Sequence, residues 1–147
     1  MDKIAIIGMG FIGTSIGLAL KKARLKNIHI VGTDRDRGRA ATAQKMKAVD
    51  QTAGLGGAVD NAQIVVLATP VVAMQETMEA IAHRLSEGCM VTDTGGSKGI
   101  VINWAEQYLP KNVNFVGGQP LVGKEGSGPE KADATLFQDK PYCIVPG

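Results

Sequence analysis

The sequence has few of the features that mark nucleic-acid-binding, membrane or secreted proteins. Its net charge is only +2 and both signs are interspersed, so no basic patch argues for a nucleic-acid partner. No apolar run approaches the length of a membrane span, and the N-terminus is typical of a core strand rather than a signal peptide. We therefore expect a cytoplasmic protein with no nucleic-acid and no membrane partner.

Cysteine is equally scarce. The two cysteines, Cys89 and Cys143, lie far apart in apolar, strand-like surroundings. This pattern predicts buried thiols in a reducing cytosol and argues against a disulfide or a metal-binding pair. We expect no metal site in this chain.

What the sequence does contain is a regular alternation of apolar strands and helices. Its 147 residues suffice for one domain, and 44% hydrophobic residues is typical of soluble globular proteins. The alternation predicts an α/β fold over residues 1–147, with a doubly wound, mostly parallel sheet like that of Rossmann dinucleotide-binding domains. The predicted strands are 4–7, 28–33, 64–68, 90–92, 114–116 and 142–145, and the predicted helices are 14–22, 35–47, 70–85 and 100–109. A loop that can include one helical turn is expected at 51–61, and a long loop at 117–128.

A glycine-rich turn follows the first predicted strand and opens the first predicted helix. In such a turn Gly8 permits the sharp bend, Gly10 lets the backbone approach a pyrophosphate, and Gly13 lets helix and strand pack closely. The helix N-terminus then offers N–H groups to the phosphates. The alternative is an ordinary glycine-rich turn without a ligand. The candidate phosphate-binding residues are Gly8, Met9, Gly10, Phe11, Ile12 and Gly13.

An acidic residue ends the second predicted strand. Asp34 lies at the spacing, about 20 residues beyond the glycine turn, at which a dinucleotide-binding unit places the carboxylate for the adenosine ribose. Its charge would repel a 2′-phosphate, which favours NAD over NADP. Arg35 and Arg37 leave NADP open, because a guanidinium beside the ribose can accommodate that phosphate. Alternatively, Asp34 caps the next helix, a role that Asp36 could also fill.

The third apolar strand ends at another candidate binding segment. Ala68, Thr69 and Pro70 close that strand and begin the next helix. In open α/β sheets, ligands lie beyond the carboxyl ends of the strands. We therefore expect these three residues to border the cofactor on its nicotinamide side.

Five segments together resemble the nucleotide-binding domain of the prephenate dehydrogenases and their arogenate-using relatives. They are GMGFIGTSIGLAL, VGTDRD, VVLATPV, TDTGGSKG and FVGGQPLVGKEGSGPEKADATLF, in that order over essentially the whole chain. The last is the most diagnostic, because generic dinucleotide folds do not share it. The resemblance implies a role in tyrosine biosynthesis, by hydride transfer from prephenate or arogenate to NAD (or NADP) with loss of carbon dioxide.

The resemblance also implies a C-terminal helical domain that dimerises and completes the substrate pocket. The 147 residues stop where that domain is expected to begin. We therefore expect a missing C-terminal domain or a partner chain, and an exposed apolar patch that promotes self-association, for example as a homodimer.

The chain departs from the family pattern where a proton acceptor is expected. The family usually has His-Pro after the glycine pair, and that histidine accepts the proton of the substrate hydroxyl, whereas this chain has Gln119. A neutral amide can orient a hydroxyl but cannot take its proton, and losing a general base typically costs about 10²–10⁴-fold in rate. His29, at the start of a strand, and His83, inside a helix, are poorly placed to replace it.

A second departure lies in the segment TDTGGSKG. The family usually reads Gly-Ser-x-Lys, so its hydroxyl position corresponds to Gly96, with Ser97 displaced by one residue. Lys98 keeps its position and either attracts a substrate carboxylate or faces solvent. The candidate catalytic residues are therefore Gln119, Ser97 and Lys98.

Three functions remain open at this stage. The first is the NAD-binding domain of a prephenate dehydrogenase-like oxidoreductase. The second is a catalytically silent dinucleotide-binding module, favoured by the two departures. The third is a dehydrogenase for another hydroxy acid, since related enzymes share the GMGxIG start, although the segment FVGGQPLVGKEGSG argues against it.

Overall fold

The computed structural model describes residues 2–121 and 128–146 and places seven strands in one sheet. No helix in these two ranges is long and apolar enough to cross a membrane. The elements in chain order are β1 (Asp2–Ile7), α1 (Phe11–Lys22), β2 (Ile28–Thr33), α2 (Arg37–Lys45), β3 (Gln51–Thr52), α3 (Leu55–Val59), β4 (Ile64–Leu67), α4 (Val71–Ile81), β5 (Met90–Asp93), α5 (Lys98–Tyr108), β6 (Asn114–Pro120) and β7 (Tyr142–Pro146), with short 3₁₀ helices at Ala82–Arg84 and Pro129–Lys131.

The strand order shows that the sheet is doubly wound. The order is β3-β2-β1-β4-β5-β6-β7, and all neighbouring strands are parallel except β6 and β7, which are antiparallel. The chain thus starts in the middle of the sheet, winds out to β3, returns to β4 and winds to the other edge. Ile7 pairs with Thr33 of β2 and with Leu67 of β4, so three strands end level where the winding reverses. The predicted fold class is confirmed.

Both faces of the sheet are covered by helices. Along β1, Ala5 and Ile7 belong to one buried cluster and Ile4 and Ile6 to the other, because alternate side chains point to opposite faces. The first cluster includes residues of α3, α4 and α5, and the second includes residues of α1 and α2. Burial on both faces explains why the central strands are continuous apolar runs.

Several helix boundaries differ from the sequence-based ones. Helix α1 begins at Phe11, three residues earlier than expected, so the second half of the glycine turn is already its first turn. Helix α2 begins at Arg37 rather than at residue 35, because the Asp36 carboxylate accepts hydrogen bonds from the N–H groups of Gly38 and Arg39 at 2.9 and 3.2 Å. The capping role considered for Asp34 thus belongs to Asp36.

The remaining helix boundaries also shift. Pro70 precedes α4 instead of lying in its first turn, and α4 ends at Ile81, after which the chain continues as a 3₁₀ turn. Helix α5 spans Lys98–Tyr108 and so begins two residues earlier than expected. These shifts amount to one to four residues, and helix ends are where local sequence signals are weakest.

Three features differ from the sequence-based predictions. Segment 51–61, expected as a loop with one helical turn, contains such a turn as α3 but also the short strand β3. The expected loop from residue 117 begins instead as the second half of β6, which is held by antiparallel pairing with β7. Cys143, on β7, is exposed rather than buried, because β7 forms an edge of the sheet; Cys89 is buried as expected. Residues 122–127 of the expected loop lie outside the described residues.

Candidate functional site

The turn between β1 and α1 has room only for glycine at two positions. Gly8 has a φ of +103°, and a Cβ there would lie 2.7 Å from the carbonyl oxygen of Ala68. A Cβ at Gly13 would lie 1.8 Å from the carbonyl oxygen of Gly8. The first glycine therefore makes the bend beside β4, and the last lets α1 close onto it, as the sequence analysis predicts.

Gly10 is different, because the packing of the described residues does not require a glycine at this position. A Cβ built at Gly10 would meet only Nη1 of Arg39, at 3.6 Å. Gly10 precedes α1 and, having no side chain, does not itself cap the helix, whose N-terminus carries a partial positive charge. A bare backbone next to a helix N-terminus is the arrangement that lets a phosphate approach the peptide N–H groups.

Asp34 joins the second strand to this turn. Its Oδ2 accepts a hydrogen bond from the backbone N–H of Met9 at 2.6 Å, and its Oδ1 accepts one from the N–H of Asp36 at 2.8 Å. A carboxylate oxygen can accept more than one hydrogen bond, so both oxygens keep acceptor capacity. The carboxylate predicted to bind a ribose and the turn predicted to bind a pyrophosphate thus lie side by side.

A cavity of about 810 Å³ opens where the winding of the sheet reverses, beyond the carboxyl ends of β1, β2 and β4. Of the eleven candidate cofactor-binding residues, nine line it: Gly8, Gly10, Phe11, Ile12, Asp34, Arg35, Ala68, Thr69 and Pro70. The other two act differently. The Met9 side chain is fully buried, and Gly13 packs against Gly8. The lining is apolar with a few polar groups, which is typical of a cofactor site.

Two charged residues of the cavity wall were not identified from the sequence. Arg39, in the first turn of α2, lies next to Gly10, and Glu76, in the middle of α4, forms an ion pair with Arg35 at 3.0 Å. In the sequence, both residues have the pattern of ordinary solvent-facing charges on amphipathic helices. Only the position of each helix relative to the strand ends brings them to the cavity.

Lys98 is paired inside the protein. Its ammonium group contacts the fully buried carboxylate of Asp93, which also accepts hydrogen bonds from the N–H groups of Gly95 at 2.9 Å and Gly118 at 3.1 Å. Asp93 thereby connects the end of β5, the start of α5 and the middle of β6. Lys98 has a structural task here, beside the substrate role predicted for it.

Gln119 and Gly96 face each other. A Cβ built at Gly96 would lie 3.7 Å from Nε2 of Gln119, so these two positions of the sequence analysis lie next to each other. Ser97, the residue before α5, is exposed and its side chain makes no capping hydrogen bond. The described residues that line the cavity do not include the three candidate catalytic residues, Gln119, Ser97 and Lys98. They do include Gly95, which lies two residues before Ser97 in the sequence.

Tyr142 lies next to the same segment. A Cβ at Gly118 would be 2.8 Å from the Tyr142 hydroxyl. Burial, together with the nearby Asp93 carboxylate, raises the pKa of the Tyr142 phenol. The phenol is therefore neutral at pH 7 and can donate a hydrogen bond, but it does not replace the missing histidine as a base.

The other candidate bases and metal ligands lie elsewhere. His29 contacts Oε1 of Gln51 at 3.0 Å, at the β2–β3 edge, and His83 lies in the 3₁₀ turn after α4. Neither is among the described residues around the cavity. Within residues 2–121 and 128–146, no group of three or more histidine, cysteine or acidic side chains is arranged to hold a metal ion.

Comparison with known proteins gives consistent results for the whole chain. A family model described as prephenate dehydrogenase, nucleotide-binding domain, matches residues 16–147. The prephenate dehydrogenase of Bacillus subtilis is 36% identical over 148 residues, an alignment that covers 99% of this chain and 40% of that protein.

Solved structures give the same result. A prephenate dehydrogenase from A. aeolicus, in complex with hydroxyphenyl propionate and NAD+, superposes with a TM-score of 0.90 at 29% identity, covering all of this chain and 51% of that one. Synechocystis arogenate dehydrogenase gives a TM-score of 0.88 at 28% identity, covering 99% of this chain and 50% of that one. The chain thus spans about half or less of the length of these relatives. It belongs to the family of prephenate dehydrogenase nucleotide-binding domains.

Proposed function

We propose that this chain is the NAD-binding domain of an oxidoreductase. The observation that carries the proposal is the contact between the Met9 N–H and the Asp34 carboxylate, because it brings the acid proposed to bind the ribose next to the turn proposed to bind the diphosphate. Gly8, Gly10 and the start of α1 would hold the diphosphate, Asp34 the adenosine ribose, and Ala68, Thr69 and Pro70 the nicotinamide side. NAD supplies the acceptor for a hydride when it is bound.

NAD rather than NADP is the proposed cofactor. The half-buried Asp34 carboxylate accepts hydrogen bonds from ribose hydroxyls but repels a 2′-phosphate. Arg37, one of the two arginines that left NADP open, is exposed and is not among the described cavity residues. Arg35, the other, lines the cavity but is engaged by Glu76.

The substrate that we propose for the whole protein is prephenate or arogenate, the substrates in the names of its relatives. Oxidation of their ring hydroxyl with loss of carbon dioxide would contribute to tyrosine biosynthesis. Gln119 would hydrogen-bond and orient that hydroxyl, with Ser97 and Lys98 nearby. The Gln119 amide cannot accept the proton, so we expect slow turnover at best.

A catalytically silent dinucleotide-binding module is the second candidate. It is favoured by the facing pair of Gln119 and Gly96, because an amide and a residue without a side chain stand at the positions where the resemblance implies an imidazole and a hydroxyl. In this reading the domain binds NAD for sensing or regulation. The two candidates share the cofactor and differ only in chemistry.

A partner surface is part of the proposal. Tyr142 and Ile144 lie two residues apart on the edge strand β7 and are 40% and 64% exposed, and Leu121 nearby is 44% exposed. Neighbouring exposed apolar side chains at a sheet edge favour contact with another chain or domain. We propose that a second, helical domain or a second copy covers them, and that the protein works in the cytosol.

The test is a fluorescence titration with NADH and NADPH, followed by assays with prephenate and arogenate. We expect NADH to bind more tightly than NADPH. Oxidation of either substrate by residues 1–147 fused to the second half of a relative would favour the dehydrogenase, and NADH binding without oxidation in that fusion would favour the silent module. Tighter binding of NADPH would contradict the ribose assignment of Asp34.

A further inference from the structure

The cavity carries balanced charges at its adenosine end. Among the described residues, four charged side chains line it, and they are Asp34, Arg35, Arg39 and Glu76. Two are acidic and two are basic, so the described lining carries no excess of positive charge for a phosphate. The balance depends on Glu76, which comes from a different element than the other three.

Glu76 reaches Arg35 across the opening between β2 and α4. The Nη2 atom of Arg35 lies 3.0 Å from Oε1 of Glu76, and the two side chains are 74% and 72% exposed. Arg35 directly follows Asp34, the proposed ribose ligand. Arg35 is thus the arginine nearest in sequence to the proposed ribose ligand. Its guanidinium could bind a phosphate on that ribose, but in this structure it is already paired with Glu76.

We propose that Glu76 is a specificity-determining residue that keeps the site selective for NAD. By pairing with Arg35 it withholds the guanidinium from a ribose 2′-phosphate, and its own negative charge adds to the repulsion from Asp34. This inference rests on the proposed function, since it assigns a role within the dinucleotide site. It would account for a preference for NAD although Arg35 lies beside the proposed ribose ligand.

The size of the effect follows from the exposure of the pair. Exposed ion pairs contribute little, so we expect Glu76→Gln to tighten NADPH binding about three- to tenfold while leaving NADH within about twofold. The variant should fold normally, because Glu76 lies on the solvent side of α4. Glu79→Gln is the matched control, since Glu79 is an exposed residue of the same helix that is not among the described cavity residues.

The experiment measures the ratio of the NADPH and NADH dissociation constants in the unmodified chain, E76Q, E79Q, R35A and the double variant R35A/E76Q. We expect this ratio to fall in E76Q and to stay unchanged in E79Q. We also expect E76Q to lower the ratio less when it is added to R35A than when it is introduced into the unmodified chain. The last comparison tests whether the effect acts through Arg35.

Three results would overturn the inference, and they separate it from the proposed function. An unchanged ratio in E76Q, with normal NADH binding, rejects the role of Glu76 alone. An equal weakening of both nucleotides in E76Q also rejects it, and would mean that Glu76 contacts a group common to both. Failure of the unmodified chain to bind either nucleotide rejects the proposed function and this inference together.

Discussion

The carboxylate of Asp34 accepts a hydrogen bond from the backbone N–H of Met9, with 2.6 Å between Oδ2 and N. The two residues are 25 positions apart and belong to the ends of neighbouring parallel strands. The bond fixes the orientation of the peptide between Gly8 and Met9 and holds a negative charge beside the glycine turn. The proposed diphosphate site and the proposed ribose site would thereby be held at a fixed separation.

Replacing Asp34 by asparagine should affect both stability and cofactor choice. The carboxylate now accepts hydrogen bonds from two backbone N–H groups. In the asparagine variant the amide NH₂ would face one of these N–H groups, so at least one hydrogen bond would be lost. We expect the free energy of unfolding to fall by about 1–3 kcal/mol in urea denaturation. NADH should bind about tenfold more weakly, because the ribose hydroxyls lose their hydrogen bonds to a charged carboxylate. The ratio of the NADPH and NADH dissociation constants should fall, because the charge that repels a 2′-phosphate is gone.

The control is Asp36→Asn. Asp36 caps α2 and is not among the described cavity residues, and asparagine caps helices about as well as aspartate, so this replacement should change stability by less than about 0.5 kcal/mol and leave the NADH to NADPH ratio unchanged. If both variants changed the ratio equally, the effect of Asp34 would come from loosening the turn and not from the ribose.

Gly10 and Gly13 should respond differently to alanine. A Cβ at Gly13 overlaps the Gly8 carbonyl, so Gly13→Ala should cost about 3 kcal/mol or more and disrupt the turn. A Cβ at Gly10 meets only the end of Arg39, so Gly10→Ala should stay within about 0.5 kcal/mol of the unmodified chain. It should still weaken NADH binding, because the methyl group occupies the space through which the backbone approaches the diphosphate.

Urea denaturation and NADH fluorescence on the same two variants provide the measurement. Gly10→Ala with normal stability and normal NADH affinity would show that the turn is only structural.

Lys98 should matter for folding. Removing its ammonium group leaves the fully buried Asp93 carboxylate with only two backbone N–H donors. Breaking a buried ion pair from one side is costly, so Lys98→Met should lower the free energy of unfolding by about 3 kcal/mol. Lys22→Met, at an exposed lysine of α1, is the control and should change it by less than about 0.5 kcal/mol. Equal stability of the two variants would mean that Lys98 does not hold Asp93 in solution.

Gln119→His should restore a proton acceptor. An imidazole titrates near neutral pH, and a positioned base is typically worth about 10²–10⁴-fold in rate. We expect prephenate oxidation to rise only when the second half of a relative, such as the Bacillus subtilis enzyme, is fused to residues 1–147. Gln119→Asn in the same fusion is the control and should stay inactive. Measurable prephenate oxidation by residues 1–147 without substitution would show that Gln119 suffices.

The parts of the fold that the sequence predicts are those with strong local signals. The buried run before Gly8 and the glycine spacing identify β1 and the turn, because continuous apolar residues and glycine each have a local physical cause. The spacing to Asp34 identifies β2 in the same way. These elements are found where expected, and the Met9–Asp34 contact follows from parallel pairing of β1 with β2.

The parts that the sequence does not predict depend on tertiary pairing. Strand β3 consists of just two residues, Gln51 and Thr52, and both are polar. It forms because the backbone of β2 has a free edge with which it can pair. The second half of β6 contains two glycines and a proline, which weaken a strand signal, and is held by β7. The contact of Arg35 with Glu76 spans 41 positions, so no local pattern indicates it.

The most direct test of the account is a crystal structure of the chain with NAD bound. We predict that a ribose hydroxyl oxygen lies within about 3.2 Å of an Asp34 carboxylate oxygen, with the diphosphate against Gly10 and the first turn of α1. A dinucleotide bound away from the Gly8–Gly13 turn, or an adenosine ribose that does not contact Asp34, would contradict it.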